Sequence, residues 1–134
     1  MKKHIESFFG GRHDASVLVA DDDPTCRNDM RRNLHMFGFD AVHCATNGEE
    51  AFELYRERED EIILVVSDLQ MPGMNGDELF RRLRQKGSKA RMLLTSGNGY
   101  GVDLDALRSE GLGGFVHKPF TVKQFLLAVT LALM

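Results

Sequence analysis

The sequence predicts an α/β fold: a doubly wound, five-stranded parallel sheet with helices on both faces. Three observations predict it. The run Ile62-Ile63-Leu64-Val65-Val66 is apolar throughout and rich in β-branched residues, as a strand buried on both faces must be. Four further short apolar runs alternate with stretches of helical spacing, and parallel neighbours require crossovers of that kind. The central run also stops at a single carboxylate, Asp68, where Pro72-Gly73 and Asn75-Gly76 turn the chain at the surface. A chain of 134 residues has room for one ordinary domain and not for a second.

Residues 1–16 read as a lead-in or linker and residues 17–134 as the domain. Lys2, Lys3 and Arg12 accompany only Ile5, Phe8 and Phe9, too few apolar residues for a signal peptide, and Phe8 and Phe9 are expected to dock on the parent domain. Val17-Leu18-Val19-Ala20 is the first strand and runs into Asp21-Asp22-Asp23-Pro24. Asp23 suits a helix cap and Pro24 a first helical position. The helix that follows carries Cys26, Met30, Leu34 and Phe37 at helical spacing, and Gly38 ends it.

Phe39 to Ala45 is expected as the second strand, and Asn47 as the cap of a helix bearing Ala51, Leu54 and Tyr55. After the central strand, Leu79, Phe80 and Leu83 mark a third helix, whose Arg81, Arg82, Arg84 and Lys86 read as a solvated face. Arg91 to Ser96 is the fourth strand, followed by the Gly-rich loop Gly97 to Gly101 and a short helix from Leu104 to Glu110. Gly114 to His117 is a short fifth strand, and Thr121 to Met134 a last apolar-faced helix.

Composition removes several function classes. At 43% hydrophobic and 28% charged the chain is neither disordered nor membrane-embedded in character, and no apolar run approaches a membrane span. A net charge of −3 leaves no general basic field for nucleic-acid phosphates. Cys26 and Cys44 are too few for a disulfide framework and are expected at buried apolar positions in a reducing cytoplasm. His4, His13, His35, His43 and His117 form no ligand-spaced pair, so zinc is not expected, and His117 should face away from the strand-end site.

In a parallel sheet the strand ends share one edge, where ligands bind. Strand one brings Asp21 and Asp22 to that edge, strand three Asp68, strand four Thr95 and strand five Lys118. Crowded carboxylates repel unless a cation or proton intervenes, and hard oxygen ligands in an open site favour Mg²⁺. Lys118 adds a compact positive charge and Thr95 a donor, so the edge is equipped to hold a transferring phosphoryl group.

The segments Val-Leu-Val-Ala-Asp-Asp-Asp-Pro, Val-Val-Ser-Asp-Leu-Gln-Met-Pro-Gly-Met-Asn-Gly, Leu-Leu-Thr-Ser-Gly and His-Lys-Pro-Phe, in this order, resemble the receiver domain of two-component response regulators. The resemblance runs from about Val17 to Leu133 and implies the flavodoxin-like strand order 2-1-3-4-5. It implies Asp68 as phosphoacceptor from a sensor histidine kinase or histidine phosphotransfer protein. Asp22, Asp68 and the Gln70 backbone carbonyl would hold Mg²⁺, with Asp21 in its outer shell. Thr95 and Lys118 would bind the phosphoryl group, and Pro119 matches a position where the family often has a cis peptide bond. A downstream protein would bind the face of the fourth helix, fifth strand and fifth helix, in the cytoplasm, with no direct contact to nucleic acid or membrane. The chain would then be a signalling domain that catalyses only its own phosphoryl transfer and dephosphorylation. Phe115 stands where many receivers carry a switching tyrosine, so any switch there works by packing alone.

Two other readings compete. Asp21-Asp22-Asp23-Pro24-Thr25 also resembles the D-x-D-x-T motif of haloacid-dehalogenase-type phosphatases, with Asp21 as nucleophile and Asp23 as general acid. A phosphate-independent pseudo-receiver scaffold is the other, against which the intact acidic, hydroxyl and lysine positions count.

Overall fold

The computed structural model describes residues 15–97 and 101–134. The expected docking of Phe8 and Phe9, and residues Asn98, Gly99 and Tyr100 of the glycine-rich loop, lie outside that range. Among the described residues ten elements alternate: β1 (Ser16–Ala20), α1 (Pro24–Phe37), β2 (Ala41–Ala45), α2 (Gly48–Arg58), β3 (Ile62–Asp68), α3 (Gly76–Lys86), β4 (Arg91–Ser96), α4 (Leu104–Ser109), β5 (Gly114–His117) and α5 (Val122–Leu133). All strand pairs are parallel, in the order β2-β1-β3-β4-β5. The predicted architecture and strand order are therefore the observed ones.

Strand alternation divides the core into two layers. Val17, Val19, Leu64, Val66 and Leu93 face Met30, Leu34, Phe125 and Val129 of α1 and α5. Leu18, Ala20, Val65, Met92 and Leu94 face Ala51, Tyr55, Leu79, Phe80, Leu83 and Leu107 of α2, α3 and α4. Burial on both sides leaves the inner strands β1, β3 and β4 almost no solvated face, which is why their sequences read as runs rather than alternations, whereas the edge strands β2 and β5 are only half-buried.

Local chemistry sets the helix ends. The Asp23 carboxylate accepts from Thr25 N–H at 3.0 Å with Pro24 at the first position, and Asn47 accepts from Glu50 N–H at 2.8 Å. Thr121 and Gln124 form a reciprocal capping box, so α5 starts at Val122 rather than at Thr121. Gly38 takes a left-handed φ of 118° to close α1. That closure corrects one expectation: β2 begins at Ala41, not Phe39. The Phe39 N–H is spent on the Leu34 carbonyl at 3.0 Å and its ring is buried beneath the helix end, which leaves neither for the sheet.

The cysteines are a second correction, because both are only half-buried. Cys44 lies on the edge strand β2, which has a neighbour on one side only, and Cys26 sits in the first turn of α1 beside the strand ends. Among the described residues no helix is long and apolar enough to cross a membrane.

Candidate functional site

The parallel register delivers the site residues to one edge. Asp68 pairs with Thr95 across β3 and β4, and the Leu69 N–H donates to the Thr95 carbonyl at 2.8 Å. The Lys118 N–H donates to the Ser96 carbonyl at 2.8 Å, which sets the residue after β5 beside the end of β4. Ala20 pairs with Ser67, so the next residue of each strand, Asp21 and Asp68, emerge side by side.

Asp21 is fully buried, with both carboxylate oxygens engaged: Oδ1 accepts from Asp23 N–H at 2.9 Å and Oδ2 from Lys118 Nζ at 2.8 Å. The same ammonium lies 3.3 Å from Asp68 Oδ2. Asp22 is exposed, yet one carboxylate oxygen from each of Asp21, Asp22 and Asp68 lies within 4.8 Å of the others. A cluster of hard oxygen donors, partly open to water, fits Mg²⁺, which takes a carboxylate or two and keeps several waters. Gln70 is exposed, and its backbone amide favours the charged form of the Asp68 carboxylate.

Electrostatics follow from this crowding. Burial pushes the Asp68 carboxyl above its ordinary value and the Asp21 charge adds to the rise, against the opposing pull of Lys118 and the Gln70 amide. For Lys118, burial alone would depress the ammonium. The hydrogen bond and charge of Asp21, with the charge of Asp68, outweigh it and raise Lys118 above the usual lysine range. Cys26 is pushed up to about 11, first by burial and then by Asp21, which leaves a thiol rather than a thiolate beside the site.

Thr95 is fully buried and its hydroxyl has no hydrogen-bond partner among the described residues. An unsatisfied buried hydroxyl is costly, so a donor left free at a strand end is suited to a ligand oxygen. Phe115 is half-buried in the layer under α4, edge-on to His117 with ring centroids 4.8 Å apart. His117 is exposed on that side, while Lys118 reaches the acids, as strand alternation predicts. The Lys118–Pro119 peptide is cis.

Two further residues support the site: Gly76, which the sequence marks only as a turn glycine, and Arg27, which no motif marks. A Cβ on Gly76 would lie 2.5 Å from the Asp68 carbonyl oxygen, so glycine here permits α3 to seat against the end of β3 and not merely a turn. Arg27 donates from Nη1 to the Asp21 carbonyl at 2.8 Å. Only the three-dimensional closeness of α1 to its own preceding loop identifies that bond.

Asp23 behaves as a helix cap, and both oxygens of Asp21 are occupied, so nothing in the geometry favours the dehalogenase-type assignment of these two residues. A doubly wound parallel sheet with acids, a buried hydroxyl and a lysine gathered at its carboxyl edge is an α/β domain with a polar site where this fold binds ligands. The chain belongs to the response regulator receiver domain family, whose sequence profile matches residues 17–130. It is similar to the sensor kinase CckA of Brucella abortus, with 33% identity over 92% of this chain and 13% of that one. A chemotaxis protein CheY homolog of Campylobacter jejuni is 34% identical over 78% of this chain and 82% of its own. Among solved structures, a CheX–CheY–BeF3–Mg²⁺ complex from Borrelia burgdorferi matches with 25% identity, a TM-score of 0.80 and 87% of each chain covered. The chain thus spans about an eighth of the kinase it matches and most of the CheY homolog.

Proposed function

We propose that this domain is a phosphorylation-controlled switch in a two-component phosphorelay, with Asp68 as phosphoacceptor. The observation that carries the reading is the Lys118 ammonium, 2.8 Å from Asp21 and 3.3 Å from Asp68, beside three clustered carboxylates and an unpartnered Thr95 hydroxyl. An Asp68 carboxylate oxygen attacks the phosphorus of a phosphohistidine on a sensor kinase or phosphotransfer protein. The P–N bond breaks as the P–O bond of the acyl phosphate forms, and the electron pair leaves on the imidazole nitrogen.

Asp22, Asp68 and the Gln70 carbonyl would hold Mg²⁺, with Asp21 outside it, and the ion would supply positive charge against the phosphoryl oxygens. The CheY relative found with BeF3 and Mg²⁺ supports that assignment. Asp21 keeps Lys118 charged and aimed at the site, and Lys118 pairs with a phosphoryl oxygen. Thr95 donates its free hydroxyl to another, which draws the end of β4 and the loop after it inward. The consequence is read by a protein partner on the face of α4, β5 and α5, where Leu127, Leu131 and His117 are exposed. With Phe115 in place of a hydroxylated ring, the β5 part of that response is a packing change. We assign this activity to the cytoplasm, the compartment of phosphohistidine donors.

The test is intact mass after incubation with Mg²⁺ and a small acyl-phosphate donor, for wild type, Asp68→Asn and Asp21→Asn, with a chelator control. A single phosphoryl gain that requires Mg²⁺ and disappears in Asp68→Asn is expected. An unmodified wild type that also ignores beryllium fluoride would overturn the switch in favour of a phosphate-independent scaffold.

A further inference from the structure

The Asp21–Asp22 peptide connects a buried strand end to an exposed carboxylate, and the bonds that hold it determine where that carboxylate points. Asp21 N–H donates to the Ala45 carbonyl at 3.1 Å, and Asp21 Oδ1 accepts from Asp23 N–H at 2.9 Å. The third restraint comes from a side chain: Arg27 Nη1 donates to the Asp21 carbonyl, half of the very peptide that carries Asp22. Among the described residues the Asp22 carboxylate has no hydrogen bond of its own. Its direction is therefore inherited from the clamped peptide.

We infer that Arg27 is a positioning residue of the cation site, acting through the Asp21 carbonyl to hold the Asp22 carboxylate against Asp68. The inference rests on the Mg²⁺ reading above and adds a residue to it. Arg27 is half-buried in the first two turns of α1, so the clamp also ties the helix to the loop it follows. Partners that orient a metal ligand matter nearly as much as the ligand itself.

Charge alone would give Arg27 the opposite effect on the cation. A guanidinium beside a cation site repels the cation, so a bystander arginine would weaken Mg²⁺ binding and its removal would strengthen it. A positioning arginine would do the reverse. Because only one N–H···O bond is made, a lysine ammonium has the donor it needs, whereas a bidentate contact would not survive that exchange.

The experiment titrates MgCl2 calorimetrically into the metal-stripped full chain as wild type, Arg27→Met and Arg27→Lys, and measures amide exchange of each in chelator. Arg27→Met is expected to bind Mg²⁺ about tenfold more weakly, at the lower end for loss of a ligand-orienting partner. Arg27→Lys should stay close to wild type. In the metal-free state the Asp22 and Asp23 amides of Arg27→Met should exchange faster while the β3 amides do not change. Equal or tighter Mg²⁺ binding by Arg27→Met would overturn the inference, as would an Arg27→Lys variant as weak as Arg27→Met. Faster exchange throughout β1 and β3 would also overturn it, since the loss would then be global. A wild type that takes up no Mg²⁺ would remove the cation-site reading itself, a result distinct from a wild type and a variant that bind equally.

Discussion

At Asp21 both carboxylate oxygens and the carbonyl are engaged, by Asp23 N–H, Lys118 and Arg27 in turn, whereas Asp68 beside it keeps part of its carboxylate available. That difference separates a residue that organises the edge from the one proposed to react there. Gly76 belongs with the organisers. Gly76→Ala would put a methyl 2.5 Å from the Asp68 carbonyl oxygen, a backbone atom, and 2.9 Å from the buried Leu94 side chain. Its expected cost is about 1–3 kcal/mol of stability, with slower phosphoryl uptake at Asp68. Thermal denaturation and intact-mass kinetics read the two effects.

His43 sets a pH dependence unconnected with phosphorylation. Burial, then the Arg58 charge, holds its imidazole below the ordinary histidine value of 6.5, against a smaller opposing pull from Glu61. The unfolded chain therefore binds the proton more readily than the folded one. The His43 contribution to stability is full above pH 6.5 and is lost as pH falls through the lower folded value. Denaturant midpoints measured across the weakly acidic range should fall less steeply for His43→Gln than for wild type.

At the scale of elements, the caps act independently of the chemistry they border. Asp23→Ala removes the carboxylate that accepts the Thr25 N–H but leaves the Asp23 backbone N–H on Asp21. A loss of about 1 kcal/mol is expected, with phosphorylation of Asp68 retained, and intact mass beside a denaturation curve checks both. A general acid at Asp23 would instead lose turnover. The basic run of α3 is also resolved at this scale. Arg81 pairs with Asp77 and Glu110, Arg84 Nε donates to the Glu110 carbonyl, Lys86 lies 3.1 Å from Glu59, and Arg82 lies over the Phe52 ring. These charges sit on a solvated face, as the sequence predicts, and they also tie α3 to α2 and to the end of α4. Exposed pairs of this kind each contribute little.

For the whole molecule, the carboxyl edge is flanked by an apolar groove of about 660 Å³ between α1 and the β5–α5 connection, with Cys26, Met36, Phe120 and Val122 among its lining and Lys118 at its rim. Met36 is 58% exposed there. On the proposed function, a protein donor rests on the rim of the site to bring its phosphohistidine to Asp68, whereas a small acyl phosphate need not. Met36→Asp should therefore slow phosphoryl transfer from a protein donor while leaving transfer from a small acyl phosphate unchanged. Parallel intact-mass time courses with the two donors make the comparison.

Much of this was legible in the residues themselves. The five runs, the Asp23 and Asn47 caps, the turn after Asp68 and the edge set Asp21, Asp22, Asp68, Thr95 and Lys118 depend on local periodicity and on the rule that parallel strand ends share an edge. Boundaries were less legible where two uses compete for one group, as when Phe39 N–H goes to the helix end instead of the sheet. By itself the sequence determined the fold class, the order of elements and which side chains reach the edge, because each follows from patterning along a few residues. Only the tertiary structure decided that Lys118 is shared between Asp21 and Asp68, that Gly76 is small to admit the Asp68 carbonyl, and that Arg27 clamps the Asp21 peptide. Those are distances between elements, set by how two layers of helices settle on a twisted sheet, and no local pattern encodes them.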